Sequence, residues 1–406
     1  MTTGPVCLAA REAAFPAPPG RPAPGARRVR VLHLAHTSAW SGGEIALVRL
    51  VGALDPGEVA SLLVCAEEGP LADAARRQDV ATMVEPLSGA IRDRRRRQVR
   101  SVATLVLVPE LVAYAARLAR IARVAQVDVI HTNSLKAFTY GVLAGRIAGV
   151  PVVAHLRDDL GHLRAGAVGA VVRVLVRRLP DAVVGCSSYV LSAARLAPPR
   201  SHVVYSGVPG ADVAGRAVAR GGPAVVGMVA RIAPWKGQHV FLQAAAEVAA
   251  RRPEVRFRIV GAPLFGEEGY LRELQGLAAD GPLAGRVEFS GFVADTRAAY
   301  EQLTVAVAAS VTPEPFGNVI VEAMARGLPV VAPAEGGPAE ILTDGVDGLL
   351  VPPRDPAALA AAILRLVGSP PSAAALAGEA LHTVRARFTI EANAGRFAEV
   401  LRTVSA

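Results

Sequence analysis

Short apolar runs alternate with longer amphipathic stretches twice along this 406-residue chain. The first series opens with the strand-like run Val29–Ala35, passes through a loop over His36–Glu44 and enters a helix over Ile45–Leu54. Further strands are expected at Ala60–Cys65, Val127–His131, Pro151–His155 and Ala182–Cys186. A second series starts at Ala224–Ala230 and continues with Arg256–Gly261, Arg286–Phe289, Leu303–Ala309, Pro329–Ala332 and Leu349–Val351. Brief apolar runs separated by helical or loop stretches spell βαβ units and a parallel sheet. A chain of this length exceeds one ordinary core, so two domains are expected, an N-terminal one over 27–207 and a C-terminal one over 208–388. The stretch Val203–Gly210 reads as the hinge between them. A polar start followed by Ile390, Phe397, Val400 and Leu401 predicts an amphipathic terminal helix over 389–406.

Composition narrows the setting. The chain is 52% hydrophobic and only 4% aromatic. Prolines crowd residues 1–26, which reads as a disordered Pro/Ala-rich leader without the apolar centre of a secretion signal. The most apolar stretch, Val102–Leu118, is broken by Pro109, Glu110 and Tyr114. It falls short of the about 20 residues that span a bilayer. Cys7, Cys65 and Cys186 show neither metal-ligand spacing nor an even framework, which points to a reducing cytoplasm.

The chemistry gathers in the second series. Leu303–Ala309 leads into Ser310-Val-Thr-Pro-Glu314-Pro-Phe-Gly-Asn, and a helix is expected to begin near Pro315 or Phe316 and stop at Gly327. Free N–H groups at Phe316, Gly317 and Asn318 would then offer an anion site. Glu314 and Glu322 would repel a diphosphate, so they suit neutral hydroxyls; otherwise they are a helix-terminus charge and a solvated helix residue. Upstream, the strand Ala224–Ala230 runs into Arg231-Ile-Ala-Pro-Trp-Lys236-Gly237, and a helix follows over Gln238–Ala250. Arg231 and Lys236 thus stand at the carboxyl end of a parallel strand, where open α/β sheets bind ligands. A guanidinium fork with a mobile ammonium suits a diphosphate.

Taken in order, Gly227, Arg231, Lys236-Gly237, Val260-Gly261, Gly291-Phe292-Val293, Glu314-x-Phe-Gly, Glu322-Ala-Met-Ala-x-Gly-x-Pro-Val, Gly336-Gly337-x-x-Glu340 and Asp347-Gly348-x-Leu350 resemble a retaining nucleotide-sugar glycosyltransferase of family four. The resemblance covers most of residues 27–400 and is most specific in the second half. It implies the GT-B architecture: two Rossmann-like parallel-sheet domains facing a cleft, the first serving the acceptor and the second the donor, with the closing helix crossing back to the first. It implies donor contacts at Val260, Gly261, Phe292, Val293, Phe316, Gly317, Asn318, Val319 and Glu322, with base recognition largely by backbone, so that UDP and GDP stay open. Arg231, Lys236 and Glu314 become catalytic candidates. At the hinge the family usually reads Asn-Gly-Val-Asp, and Ser206 and Pro209 depart from it.

In the first series the turn Ser41-Gly42-Gly43-Glu44 is either a tight βα turn or a close backbone approach to a ligand. The resemblance favours ligand contact at Gly42 and Gly43. His155 ends a strand, where a lone histidine is commonly structural; the resemblance implies one that faces the donor sugar. Asp158 and Asp159 either bind acceptor hydroxyls or cap the next helix. His131, Asn133 and Lys136 are acceptor-side candidates of the same kind.

Net charge is +9 and the pI is near 10.1, which favours anionic partners. The run Arg92–Arg100 is a solvated loop, a dock for an anionic membrane at the inner face, or an attractor of an anionic acceptor. Nucleic acid is disfavoured, since no aromatics interleave with the run. No Asp-x-Asp pair stands in a metal-binding context, so no cofactor or metal is expected and protein cations are expected to stabilise the departing diphosphate. The reading is therefore glycosyl transfer from a nucleoside diphosphate sugar to the hydroxyl of a lipid-linked glycan, glycolipid or small molecule. A sugar-nucleotide epimerase of the same fold, a natural-product glycosyltransferase on a soluble acceptor, a phosphorylase and a non-catalytic adaptor are the alternatives.

Overall fold

A computed structural model describes Phe15 and residues 27–92, 107–160, 167–215, 222–264 and 266–406. The expected leader and most of the Arg92–Arg100 run lie outside the described residues. By contacts the chain divides into two units, one running up to Gly207 and taking in Ile390–Ala406, the other Val208–Thr389.

The first unit is built on strands β1 (Val29–Ala35), β2 (Val59–Cys65), β3 (Ala81–Val84), β4 (Val129–Thr132), β5 (Val152–Leu156), β6 (Ala182–Gly185) and β7 (Ser201–Val203). Among the described residues they form one sheet in the order β3-β2-β1-β4-β5-β6-β7. The second unit holds β8 (Val225–Val229), β9 (Arg256–Val260), β10 (Val287–Gly291), β11 (Val305–Val307), β12 (Val330–Pro333) and β13 (Leu349–Val351), in the order β10-β9-β8-β11-β12-β13. Every strand pairing in both sheets is parallel. Parallel pairing requires crossovers, and most are helical, so loops leave the carboxyl ends of the strands on one edge of each sheet. The periodicity had suggested five strands in the first unit; β3 and β7 are the additions. Each lies at a sheet edge and its short run is broken by polar residues, Ala-Thr-Met-Val and Ser-His-Val, so no apolar stretch marks it.

Strands of the first sheet are buried on both faces, hence their near-continuous apolar character. One face carries Val29, Val31, Val129, Val153 and Val184 and is covered by the closing helix Ile390–Ser405 through Ile390, Ala394, Phe397 and Leu401. The helix thus packs on the first unit although the whole second unit precedes it in sequence. The side chain of Asn393 accepts a hydrogen bond from the backbone N–H of Tyr205 at 3.2 Å, pinning that helix to the segment after β7.

Three histidines lie on this same face, because side chains of a strand alternate and residues 33, 131 and 155 share parity with the valines beneath them. His33 and His131 are register partners on β1 and β4. Their Nδ1 atoms are 2.9 Å apart, His131 Nε2 is 3.3 Å from His155 Nδ1, and His33 Nε2 is 3.2 Å from Ser61 Oγ. The Phe397 ring packs against His131 with centroids 4.8 Å apart and against His155 at 6.0 Å. Burial holds all three imidazoles neutral, lowering His33 to about 3 and the other two well below the ordinary histidine range; for those two, neighbouring histidine and Arg157 charges add to the effect.

Histidines held neutral in the fold bind protons only when the chain unfolds, at an ordinary pKa of about 6.5. Their folded pKa values are depressed, so full stability is present above about pH 6.5 and is lost as pH falls towards the folded values, the unfolded state binding more protons. Each neutral histidine adds up to about 1.4 kcal/mol per pH unit to that slope. Denaturant unfolding of the wild type and of His33→Gln between pH 7.5 and about 5 should show a shallower acid loss in the variant; equal slopes would show that the row does not set acid stability.

Candidate functional site

The groups with chemistry in the second unit collect on loops at the carboxyl edge of its sheet. β8 ends at Val229 and the chain passes through Arg231 into a single 3₁₀ turn, Pro234–Lys236, closed by Gly237 with φ of 75°. A Cβ at Gly237 would stand 1.9 Å from the carbonyl oxygen of Ala309, so only glycine lets this turn press against the end of β11. The fully buried Gln238 donates from Nε2 to the Arg231 carbonyl at 2.8 Å and fixes the loop from below.

That contact brings Lys236 to Glu314. Lys236 Nζ donates to Glu314 Oε1 at 2.8 Å, and Ser310 Oγ donates to the same oxygen. Both side chains are largely buried. Burial alone would raise the Glu314 carboxyl, but the Lys236 charge and the two hydrogen bonds outweigh it and hold the group below the usual range, hence ionised. The Glu314 backbone forms a parallel bridge to Gly336 and accepts from the Gly337 N–H at 2.8 Å. A Cβ at Gly337 would meet the Phe316 carbonyl at 2.0 Å. Trp235 lies between the two cations: the Lys236 ammonium is 4.3 Å and the Arg231 guanidinium 5.7 Å from its ring centroid. Arg231 Nε also faces Glu267 Oε2 at 3.8 Å, an ion pair longer than a hydrogen bond.

The helix after Glu314 starts later than its sequence suggests. It runs Asn318–Ala325, and Pro315 and Phe316 precede it. Gly317, at φ 124° and ψ 55°, is far from helical geometry and sets the boundary. Phe316 is buried and packs edge-on against Phe388, with centroids 5.7 Å apart. Glu322 lies on the helix, where Tyr300 Oη donates to the Val319 carbonyl at 3.0 Å and is 3.5 Å from Glu322 Oε2. At the ends of β9 and β10, Gly261 adopts φ of 141°, its N–H donating to the Gly291 carbonyl, and a Cβ there would be 1.9 Å from the Ala230 carbonyl. Val260 is buried in the sheet, Val293 is half-buried and Phe292 is exposed.

In the first unit the Gly-Gly segment is the first turn of the helix Gly42–Gly52, where a loop up to Glu44 was expected. Ser41 precedes the helix in extended conformation; its hydroxyl donates to the Glu44 carboxylate and makes no capping bond to the helix backbone. Burial raises the Glu44 pKa against the influence of Ser41 and Arg157.

His155 and His131 do not face a ligand surface; they are interior residues of the sheet under the closing helix, 1% and 0% exposed. His155 lies within β5, on the face that Phe397 of the closing helix covers. Arg157, one residue past the end of β5, stands at the carboxyl edge of the sheet and is half-buried. Its Nε donates to Asn133 Oδ1 at 2.6 Å and its Nη1 to Ser206 Oγ at 3.2 Å, while Nη2 is buried with no hydrogen-bond partner among the described residues. Asn133 in turn donates to the Gly43 carbonyl at 3.2 Å, and a Cβ at Gly43 would lie 3.8 Å from Arg157 Cδ. Burial lowers Arg157 to about 10, with Cys186 and Glu44 opposing the shift, so it stays a cation at neutral pH. Arg157, Asn133, Glu44 and Ser206 thus converge around Gly43. Asp159 accepts from Tyr189 Oη at 2.8 Å, and the next helix is described from Ala167 onward. Lys136 is half-buried in the first turn of Leu135–Ala148, its carbonyl accepting from Thr139. Sequence reasoning missed Arg157, Trp235 and Ser310; the signal for Arg157 was its place just past an apolar run. Among the described residues, no three His, Cys, Asp or Glu side chains are grouped to hold a metal ion.

Comparison with known proteins agrees with this arrangement. A family model described as Glycosyltransferase Family 4 matches residues 40–210, and one described as Glycosyl transferases group 1 matches residues 223–369. The chain is similar to the D-inositol 3-phosphate glycosyltransferase of Thermobispora bispora, 34% identical over 305 residues that make up 67% of this chain and 70% of the relative. A second such protein, D-inositol 3-phosphate glycosyltransferase 2 of Catenulispora acidiphila, is 40% identical over 183 residues; the match spans 44% of this chain and only 42% of that relative's length. The solved structure of Anabaena Alr3699/HepE in complex with UDP and glucose superposes with a TM-score of 0.76 at 27% identity, covering 93% of this chain and all of that one.

The Lys236–Glu314 pair carries a stability signature. Lys236→Met leaves a buried, unpaired carboxylate and should cost about 3 to 5 kcal/mol, whereas the double variant Lys236→Met/Glu314→Gln should recover most of that loss. Urea unfolding of the two single variants and the double variant measures the coupling, and additive losses would mean the pair does not act as a unit.

Proposed function

Because the chain belongs to glycosyltransferase family 4, we propose that it transfers a hexose from a UDP-sugar to an acceptor hydroxyl with retention of anomeric configuration and without a metal. The observation that carries this reading is the cluster of Arg231, Lys236 and Glu314 on adjoining loops at the carboxyl edge of a parallel sheet. Uridine is favoured over guanosine because the similar Anabaena protein was solved with UDP.

Bond cleavage places growing negative charge on the departing diphosphate. Arg231 and Lys236, already positioned against Trp235, would meet that charge with little reorganisation, which is where electrostatic catalysis is most effective. Glu314 is committed to Lys236 and Ser310 through one oxygen, which suits it to accept a hydrogen bond from a sugar hydroxyl and makes it a poor nucleophile. A glycosidase-like double displacement needs a free carboxylate nucleophile. Retention then follows from attack on the face the diphosphate leaves, with the departing phosphate oxygen taking the acceptor proton. Acceptor hydroxyls are assigned to the first unit, where Glu44, Asn133 and Arg157 offer both donors and acceptors. Inositol phosphates are the first acceptors to try, given the names of the relatives. Synthesis of a cell-surface glycan or other glycoconjugate in the cytoplasm, at or near the membrane, is the wider role proposed.

Arg231→Ala should lower kcat/KM for UDP-sugar turnover by about 2 to 4 kcal/mol of barrier, the range for loss of one charge-stabilising donor, with the unfolding midpoint little changed. Wild-type rates in this variant would remove the diphosphate assignment. Turnover should also persist after EDTA treatment, because protein cations occupy the role a divalent ion would have; loss of activity restored by Mg²⁺ or Mn²⁺ would contradict the metal-free reading.

A further inference from the structure

The helix Ala167–Arg178, between β5 and β6, has an apolar face that no described part of the chain covers. Val171, Val174 and Leu175 are 55%, 48% and 38% exposed. Their spacing of three and four residues places them on one stripe within two turns, and Arg178 falls on the same stripe. Val176 and Gly169 point the opposite way and are buried. Among the other exposed large apolar residues Leu264, Leu277, Phe292 and Val346 stand singly, and the helix Val108–Val124 carries Val108, Val112 and Val124, of which only Val108 and Val112 share a stripe. Single exposed apolar residues need no explanation, but an aligned group does.

Charge indicates what the stripe meets. The helix, Ala-Val-Gly-Ala-Val-Val-Arg-Val-Leu-Val-Arg-Arg, contains three arginines and no acidic residue. Arg177 and Arg178 are exposed and make no ion pair among the described residues. Aliphatic side chains bordered by Arg177 and Arg178 match the boundary layer of an anionic bilayer, where the apolar stripe enters the acyl region and the guanidinium groups reach the phosphates. Among the described residues no single helix is long and apolar enough to cross a membrane, so contact through this helix would be peripheral.

We propose that the helix Ala167–Arg178 docks the protein on an anionic lipid surface, lying in its plane with Val171, Val174 and Leu175 inserted. The occupant is the phospholipid surface itself, and the contact needs no turnover, so its test is separate from that of the catalytic reading. The full chain should co-sediment at low salt with vesicles of phosphatidylglycerol and phosphatidylcholine, and far less with phosphatidylcholine alone. Arg177→Ser/Arg178→Ser should weaken binding by about 30-fold, since each arginine near an anionic surface adds about a fivefold factor. Val174→Ser/Leu175→Ser should release the protein although both arginines remain. All four positions are exposed, so the fold should tolerate these changes; thermal unfolding checks this. Leu175→Trp gives a second readout, an emission that should shift to the blue when anionic vesicles are added. Absence of wild-type binding at low salt would overturn the proposal. So would vesicle binding with an unshifted Trp emission, which would place the contact elsewhere, for example at the Arg92–Arg100 run. A wild-type dimer that becomes monomeric in Val174→Ser/Leu175→Ser would overturn it too, by making the stripe a contact between copies of this chain.

Discussion

The ion pair between Lys236 and Glu314 governs the arrangement of loops at the carboxyl edge of the second unit's sheet. It joins the loop after β8 to the loop after β11, two strands that lie side by side in the sheet. With both side chains largely out of water, the Coulomb attraction is offset by the cost of desolvating two charges, so the pair is better understood as a positional device than as a source of stability. Its geometry is fixed from every side. Gly237 lets one loop sit on the end of β11, Ser310 shares the carboxylate oxygen, and Gly336 and Gly337 let a third loop run beside Glu314. Glu314 neutralises much of the Lys236 charge, while Arg231 faces Glu267 at 3.8 Å.

The two units place similar loops at similar strand ends but hold them differently. In the second, a paired charge sets the position of the groups. In the first, Arg157 is held by neutral partners, Asn133 and Ser206, and has one nitrogen without a hydrogen-bond partner among the described residues. Buried polar groups are normally satisfied, so an unpaired guanidinium nitrogen beside a helix N-terminus is expensive to keep without a role. Ser206, which departs from the family's usual asparagine, is one of the residues that positions it.

Much of the fold was legible because period and length suffice for buried parallel strands: β1 and β13 match their sequence reading to the residue. The edge strands β3 and β7 were not legible, because polar residues break their short runs, Ala-Thr-Met-Val and Ser-His-Val, whereas the equally short edge strand β13 is wholly apolar. Helix starts failed where glycine conformation decides them. Gly42 and Gly43 prove to be helical, whereas Gly317 is not, and nothing in the letters separates the two cases. Among the site residues, Arg231, Lys236 and Glu314 stood out because cations and a carboxylate at strand ends have few structural uses. His155 misled for a geometric reason: its strand continues one residue beyond it to Leu156, so His155 lies inside a strand buried on both faces, and Arg157, past the strand end, takes the edge.

The closing helix has a consequence for synthesis. The first sheet's valine-and-histidine face is sealed by Ile390, Phe397 and Leu401, which are translated only after the entire second unit. A ribosome therefore releases the first sheet into the cell with that face open for the time needed to make nearly two hundred further residues, about 10 to 40 s at typical elongation rates. The second unit, continuous in sequence, can close its own core in that interval. The first unit therefore completes its core only after the second has been synthesised, and its valine-and-histidine face stays open in the interval.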